Sequence, residues 1–96
     1  MRDYKQEYRD ALDERDNYSV FSKEWNEMTE KIFDILRDGV KAHDDESVYI
    51  VEDEIEALLD CEIDWNDEDV QKDVELLEAN GYDHIIKRIK KMYEIN

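Results

Sequence analysis

Residues 22–41 read SKEWNEMTEKIFDILRDGVK, and the spacing of the apolar side chains in this stretch decides the class of fold. Trp25, Met28, Ile32, Ile35, Leu36 and Val40 recur at intervals of three and four, which lines one face of an α-helix. Ser22 stands just ahead of them, with a hydroxyl able to accept a hydrogen bond from a first-turn amide. Gly39 lies near the far end, where it either terminates the helix or weakens its last turn by ~1 kcal/mol relative to alanine.

Outward from this helix the rest of the chain reads as helical too. There is no proline, and the only glycines are Gly39 and Gly81. Upstream, Tyr4, Tyr8, Ala11 and Leu12 form a narrow apolar stripe on a first helix over roughly residues 2–15, which the segment DNYS then breaks. That stripe either seals the core or pairs with a second copy of the chain, so a homodimer stays open. Downstream, SVYIV at 47–51 is ambiguous, since its β-branched residues suit a short strand as well as the entry turn of a helix. Ile55, Leu58 and Leu59 then mark a short helix over roughly residues 51–60.

After CEIDW, Asn66 or Asp64 can cap a fourth helix that turns Val70, Val74 and Leu77 inward. Asp67, Glu68 and Asp69 suit the positive end of its macrodipole. Asn80-Gly81 ends that helix, because glycine accepts the left-handed conformation required there. Asp83 can cap a last helix with Ile85, Ile86, Ile89, Met92 and Tyr93 inward and Lys87, Arg88, Lys90 and Lys91 outward. The expectation is an all-α fold, a small bundle of four to five helices in a single acidic domain over residues 1–96, with one short strand at 47–51 as the open alternative.

Charge is distributed far less evenly than the apolar pattern. The chain of 96 residues carries a formal net charge of −16. Residues 1–43 contribute −3 and residues 79–96 contribute +2, while residues 44–78 hold sixteen acids against the single base Lys72, a net of −15. Such a field repels nucleic acids and anionic membranes and steers basic proteins inward. Neither direct nucleic-acid binding nor membrane association is expected. The opening MRDYKQEYRD lacks the apolar region of a signal peptide, and the longest strictly apolar run is VYIV. With Cys61 as the one cysteine, no internal disulfide can form, which suits a reducing cytoplasm.

Several chemistries fit poorly. An EF-hand frame from Asp60 places Asp60, Glu62 and Asp64 as its first ligands, but Trp65 stands where the loop needs glycine and Gln71 where it needs glutamate. A frame from Asp64 ends on Glu75 but puts Asp69 at the glycine position and Lys72 among the ligands. His43 and His84 match no metal-ligand spacing. No metal or other cofactor is expected. Cys61, flanked by Asp60, Glu62 and Asp64, reads as a buried structural cysteine rather than a nucleophile. No carboxylate pair stands out for acid–base work and no glycine-rich phosphate loop is present, so the chain is not expected to be an enzyme.

What remains is the acidic surface itself. On the third helix Glu52, Glu56 and Asp60 fall at successive i,i+4 positions, as do Asp69 and Asp73 on the fourth, each like-charge pair costing ~0.2 to 0.5 kcal/mol. Two helices of about 15 residues side by side would run ~22 Å, and ~22 Å of duplex DNA carries about 13 phosphate charges. The segment's −15 is of that size.

In character the segment resembles the DNA-mimic inhibitors of phages and mobile elements, the anti-restriction and anti-CRISPR proteins. The likeness is of class only and rests on no shared motif. It implies a non-enzymatic inhibitor that binds the nucleic-acid-binding surface of a basic partner; the residues expected to make that contact come from the charge of the segment itself, namely Asp44, Asp45, Glu46, Glu52, Asp53, Glu56, Asp60, Glu62, Asp64, Trp65, Asp67, Glu68, Asp69, Asp73 and Glu75. Two other readings use the same composition. One is an immunity or antitoxin protein that caps a basic nuclease toxin, with Tyr49 or Trp65 as its aromatic hot spot. The other is a solvated acidic adaptor.

Overall fold

The structure, a computed structural model, describes residues 2–95. Its five helices are α1 (Tyr4–Arg15), α2 (Lys23–Lys41), α3 (Asp45–Asp60), α4 (Glu68–Ala79) and α5 (Asp83–Met92), and no strand occurs among the described residues. The fold is all-α, as the periodicity requires. Among the described residues no helix is long and apolar enough to cross a membrane. The chain divides into two compact units, the first running to Ser47 and the second beginning at Val48.

In the first unit α1 and α2 pack against each other as an antiparallel pair. At one end Arg2 bonds Asp38, and at the other Arg15 bonds the Thr29 hydroxyl at 3.2 Å. Asp3 caps α1 by accepting from the Gln6 amide, and Ser22 caps α2 by accepting from Trp25. Ala11 of α1 and Met28, Ile32, Ile35, Leu36 and Val40 of α2 form the core. Trp25 is only half-buried, covered on one side by the Arg15 guanidinium 4.8 Å from its ring centroid and on another by the edge of Phe21.

Gly39 does not end α2. It is buried inside the helix, and a Cβ there would collide with the Ser47 side chain. Termination falls instead to His43, whose left-handed φ of 58° lets Asp44 N–H reach the Gly39 carbonyl at 2.9 Å and His43 N–H reach that of Val40. Asp44 immediately starts the next helix, its carboxylate accepting from both the Ser47 amide at 3.0 Å and the Ser47 hydroxyl at 2.8 Å. This cap resolves the ambiguity at 47–51. The segment is helix and not strand, and α3 starts at Asp45, six residues earlier than the apolar spacing from Ile55 implies.

In the second unit Val48, Val51 and Ile55 of α3, Val70, Val74, Leu76 and Leu77 of α4, and Ile85, Ile86 and Ile89 of α5 are buried. α4 packs on α5. The turn between them closes at Gly81, with φ 88°, so that Tyr82 N–H reaches the Leu77 carbonyl at 3.0 Å. Three details depart from expectation. Asp67, not Asn66 or Asp64, caps α4, and Tyr82 occupies the cap position of α5 with no side-chain bond, leaving Asp83 in the first turn. Met92, expected inward, is 56% exposed.

Candidate functional site

The acidic residues fall into groups by what each carboxylate already does. In the first unit Asp44 is the α3 cap just described, Asp45 is exposed in the first turn, and Glu46 lies 3.5 Å from Lys5. In the second unit the row Glu52–Glu56–Asp60 runs along the flank of α3 that meets α5. Arg88 of α5 pairs with Glu52. The Tyr93 hydroxyl bonds Asp60 at 2.6 Å and the Glu56 carbonyl at 3.3 Å. The row expected to stand free along α3 is thus partly held by the basic last helix.

Two titrations record this crowding. Glu56 is half-buried, and burial first, then the neighbouring Glu52, Asp53 and Asp60, raise its pKa above the ordinary carboxylate value against the pull of Arg88. Tyr93 is pushed up to about 12, chiefly because its hydroxyl donates to the Asp60 carboxylate and an ionised phenolate could not.

Asp73 sits elsewhere than expected. It is 4% exposed, inside the core stripe of α4, so Asp69 and Asp73 do not form an exposed i,i+4 pair. Burial, followed by the charge of Glu54 and a side-chain hydrogen bond to it, pushes the Asp73 carboxyl up to about 8. Glu54, absent from the expected interface, is thus the neighbouring charge that adds to the effect of burial. The helical phase of Val70 and Leu77 already sets Asp73 on the buried side of α4.

The segment between α3 and α4 is built by its own acids. Glu62 takes the left-handed conformation that ends α3, with φ 64°, so that Ile63 N–H reaches the Leu58 carbonyl at 3.1 Å. The Asp64 carboxylate accepts from Asn66 N–H at 2.8 Å and that of Asp67 from Asp69 N–H at 2.9 Å. Trp65 is half-buried, with the Lys90 ammonium 5.5 Å from its ring centroid and its carbonyl accepting from Gln71. Cys61, expected buried, is exposed.

Within the second unit this leaves Asp53, Glu62, Glu68, Asp69 and Glu75 as expected interface residues exposed to solvent, with Asp64 and Asp67 exposed at the caps they serve. Tyr49 is 64% exposed one helical turn before Asp53 and shares its face of α3. The first unit carries a second, unexpected apolar display. Val20 and Phe21 are 63% and 77% exposed at the α1–α2 loop, and Phe21 is held at a left-handed φ of 67°. Among the described residues no group of three or more His, Cys, Asp or Glu side chains could hold a metal ion.

Compared with protein-family models, curated proteins and solved structures, the chain matches none.

Proposed function

We propose that this chain is an acidic, non-catalytic inhibitor that occupies the nucleic-acid-binding surface of a basic protein, its exposed carboxylates standing where backbone phosphates would lie. The observation that supports this reading is the display of Asp53, Glu62, Glu68, Asp69 and Glu75 on two helices and their connection, in a segment of net charge −15. Affinity would come chiefly from releasing ions held by the partner's lysines and arginines, so salt should weaken it steeply. The footprint is smaller than composition alone implies. Asp73 takes no part, and Glu52 and Asp60 can join only by exchanging Arg88 and Tyr93 for the partner's cations.

The test is to immobilise the protein and present it with nucleic-acid-binding proteins of the cell that makes it, at rising salt and with duplex DNA as competitor. The reading expects capture of basic proteins, their displacement by duplex, and a progressive loss as the five exposed acids are changed together to amides. Undiminished capture by that combined variant overturns it.

A second reading is favoured by Tyr49. A 64% exposed aromatic beside Asp53 suits an immunity-type protein that caps a basic nuclease toxin through one hot spot within an acidic patch. Under that reading Tyr49→Ala alone removes most of the affinity, whereas a phosphate mimic loses it only as charges are removed in number.

A further inference from the structure

We propose that the turn joining α1 to α2 is a docking knob: Val20 and Phe21 insert into an apolar socket on a basic protein, whose lysines or arginines meet the acids that flank the turn. The surface belongs to the first unit alone, and the proposal does not rest on the phosphate-mimic reading of the second.

The turn presents these side chains against the preference of its own backbone. Ser22 N–H reaches the Ser19 carbonyl at 3.0 Å, so Val20 and Phe21 are the two central residues, and the second of them takes a φ of 67°. A positive φ at that place suits glycine or asparagine, and a Cβ there is crowded. Phe21 gains little shelter in return, being 77% exposed. Two contacts nonetheless fix it. Its ring meets that of Trp25 edge-to-face with centroids 5.3 Å apart, and the Asn26 side-chain amide donates to its carbonyl at 3.4 Å. An apolar projection held in this way surrenders little freedom when a partner covers it.

Size and charge select the occupant. Tyr18, Val20 and Phe21 are 39%, 63% and 77% exposed and together leave on the order of 300 Å² open. That is the lower end of the largest apolar patches on monomers, which are often functional, but well short of the ~800 Å² each partner buries in a stable interface. The rest of the contact must come from the rim, and the rim is acidic. Residues 13–24 set Asp13, Glu14, Asp16 and Glu24 against Arg15 and Lys23. The four acids are exposed, whereas Arg15 is half-buried, with its guanidinium over Trp25 and a bond to Thr29. In a symmetric pair of copies this rim would face itself, acid against acid, with a further −16 brought by the second chain. An anionic lipid surface is repelled by the same acids. A cationic rim around an apolar socket on another protein complements both parts of the surface.

The experiment compares the immobilised full chain with its Phe21→Gly variant in extract of the cell that makes the protein. Glycine adopts the turn without strain, so the variant should melt no lower than the wild type, and its loss of binding is then not a loss of fold. The basic protein retained by the wild type and released by the variant is purified and titrated into the isotope-labelled full chain. Amide NMR shifts are expected over residues 18–25, with an affinity about 30-fold weaker for Phe21→Gly, the scale of an interface hot spot, and a further weakening with salt. Four results overturn the proposal. One is that no retained protein depends on Phe21. A second is that the dependent protein is acidic or binds without regard to salt. A third is that Phe21→Gly melts well below the wild type, which would make Phe21 a structural residue. The last is a wild-type dimer in sedimentation that Phe21→Gly dissolves, which would make the occupant a second copy.

Discussion

Gly39 and Ser47 touch so closely that no side chain fits at Gly39: a methyl group there would overlap both Ser47 Oγ and Cβ. The contact brings the last turns of α2 against the first turn of α3 within the first unit, and Tyr4 of α1 lies 3.4 Å from the same point. Glycine costs ~1 kcal/mol of helix propensity relative to alanine, and here that cost is accepted for proximity.

Gly39→Ala should therefore destabilise the protein, against the helix-propensity trend. Overpacking a close contact costs roughly 1–3 kcal/mol, which exceeds the gain in propensity. Urea denaturation followed by circular dichroism measures it; a higher midpoint for the alanine variant would contradict the contact.

Asp44→Ala should cost about 1 to 2 kcal/mol, at the upper end for a helix cap. The reason is Ser47, which is 2% exposed and donates both its amide and its hydroxyl to the Asp44 carboxylate. Removing the acceptor leaves both donors without it. Asp44→Asn retains an oxygen and should recover most of the loss in the same denaturation experiment.

Glu62→Gly and His43→Gly should each stabilise the chain by about 1 kcal/mol, because both side chains sit at left-handed φ, 64° and 58°, where a Cβ is crowded. A rise in melting temperature checks this, and no rise at either site would mean that the side chains stabilise their turns by other means.

Tyr93 should titrate above the ordinary tyrosine range. Its neutral hydroxyl donates to Asp60, so the bond contributes in full below the ordinary tyrosine range and is lost as pH climbs toward about 12. Ultraviolet difference titration should show one late phenolate, absent from Tyr93→Phe.

Added sodium chloride should raise the melting temperature. The net charge of −16 repels itself at short range, and salt shortens the reach of that repulsion to about 8–10 Å near physiological strength. Stability independent of salt would imply that the carboxylates are compensated internally to a greater degree than Arg2, Lys5 and Arg88 suggest.

Much of the fold is legible in the chain because one signal dominates it. Met28, Ile32, Ile35, Leu36 and Val40 repeat with the helix and are all buried, and Ser22 caps where its chemistry predicts. The strand alternative at 47–51 arises from the β-branched residues of SVYIV, whose preference is weak beside a cap that satisfies two donors and beside Val48, Val51 and Ile55, which continue the helical phase into the core. Gly39 reads as a helix end only when glycine is considered apart from what it packs against.

The acidic surface is legible in amount but not in arrangement. At Asp73 charge argues outward and phase argues inward, and phase wins, with Val70 and Leu77 carrying it into the core; its neighbour Glu54 lies on another helix, which no single-helix pattern displays. The same limitation hides Arg88 with Glu52 and Tyr93 with Asp60, 36 and 33 residues apart. Cys61 and Met92 show the reverse error: each is apolar, yet each lies where its helix is ending and the core has been left behind.

The exposed position of Cys61 gives experimenters an advantage that no engineering is needed to obtain. It is the chain's single thiol and lies between Asp60 and Glu62, so one maleimide dye would label every molecule at the same point in the middle of the negative segment. Emission from that dye would report an approaching cationic surface without any change to the sequence.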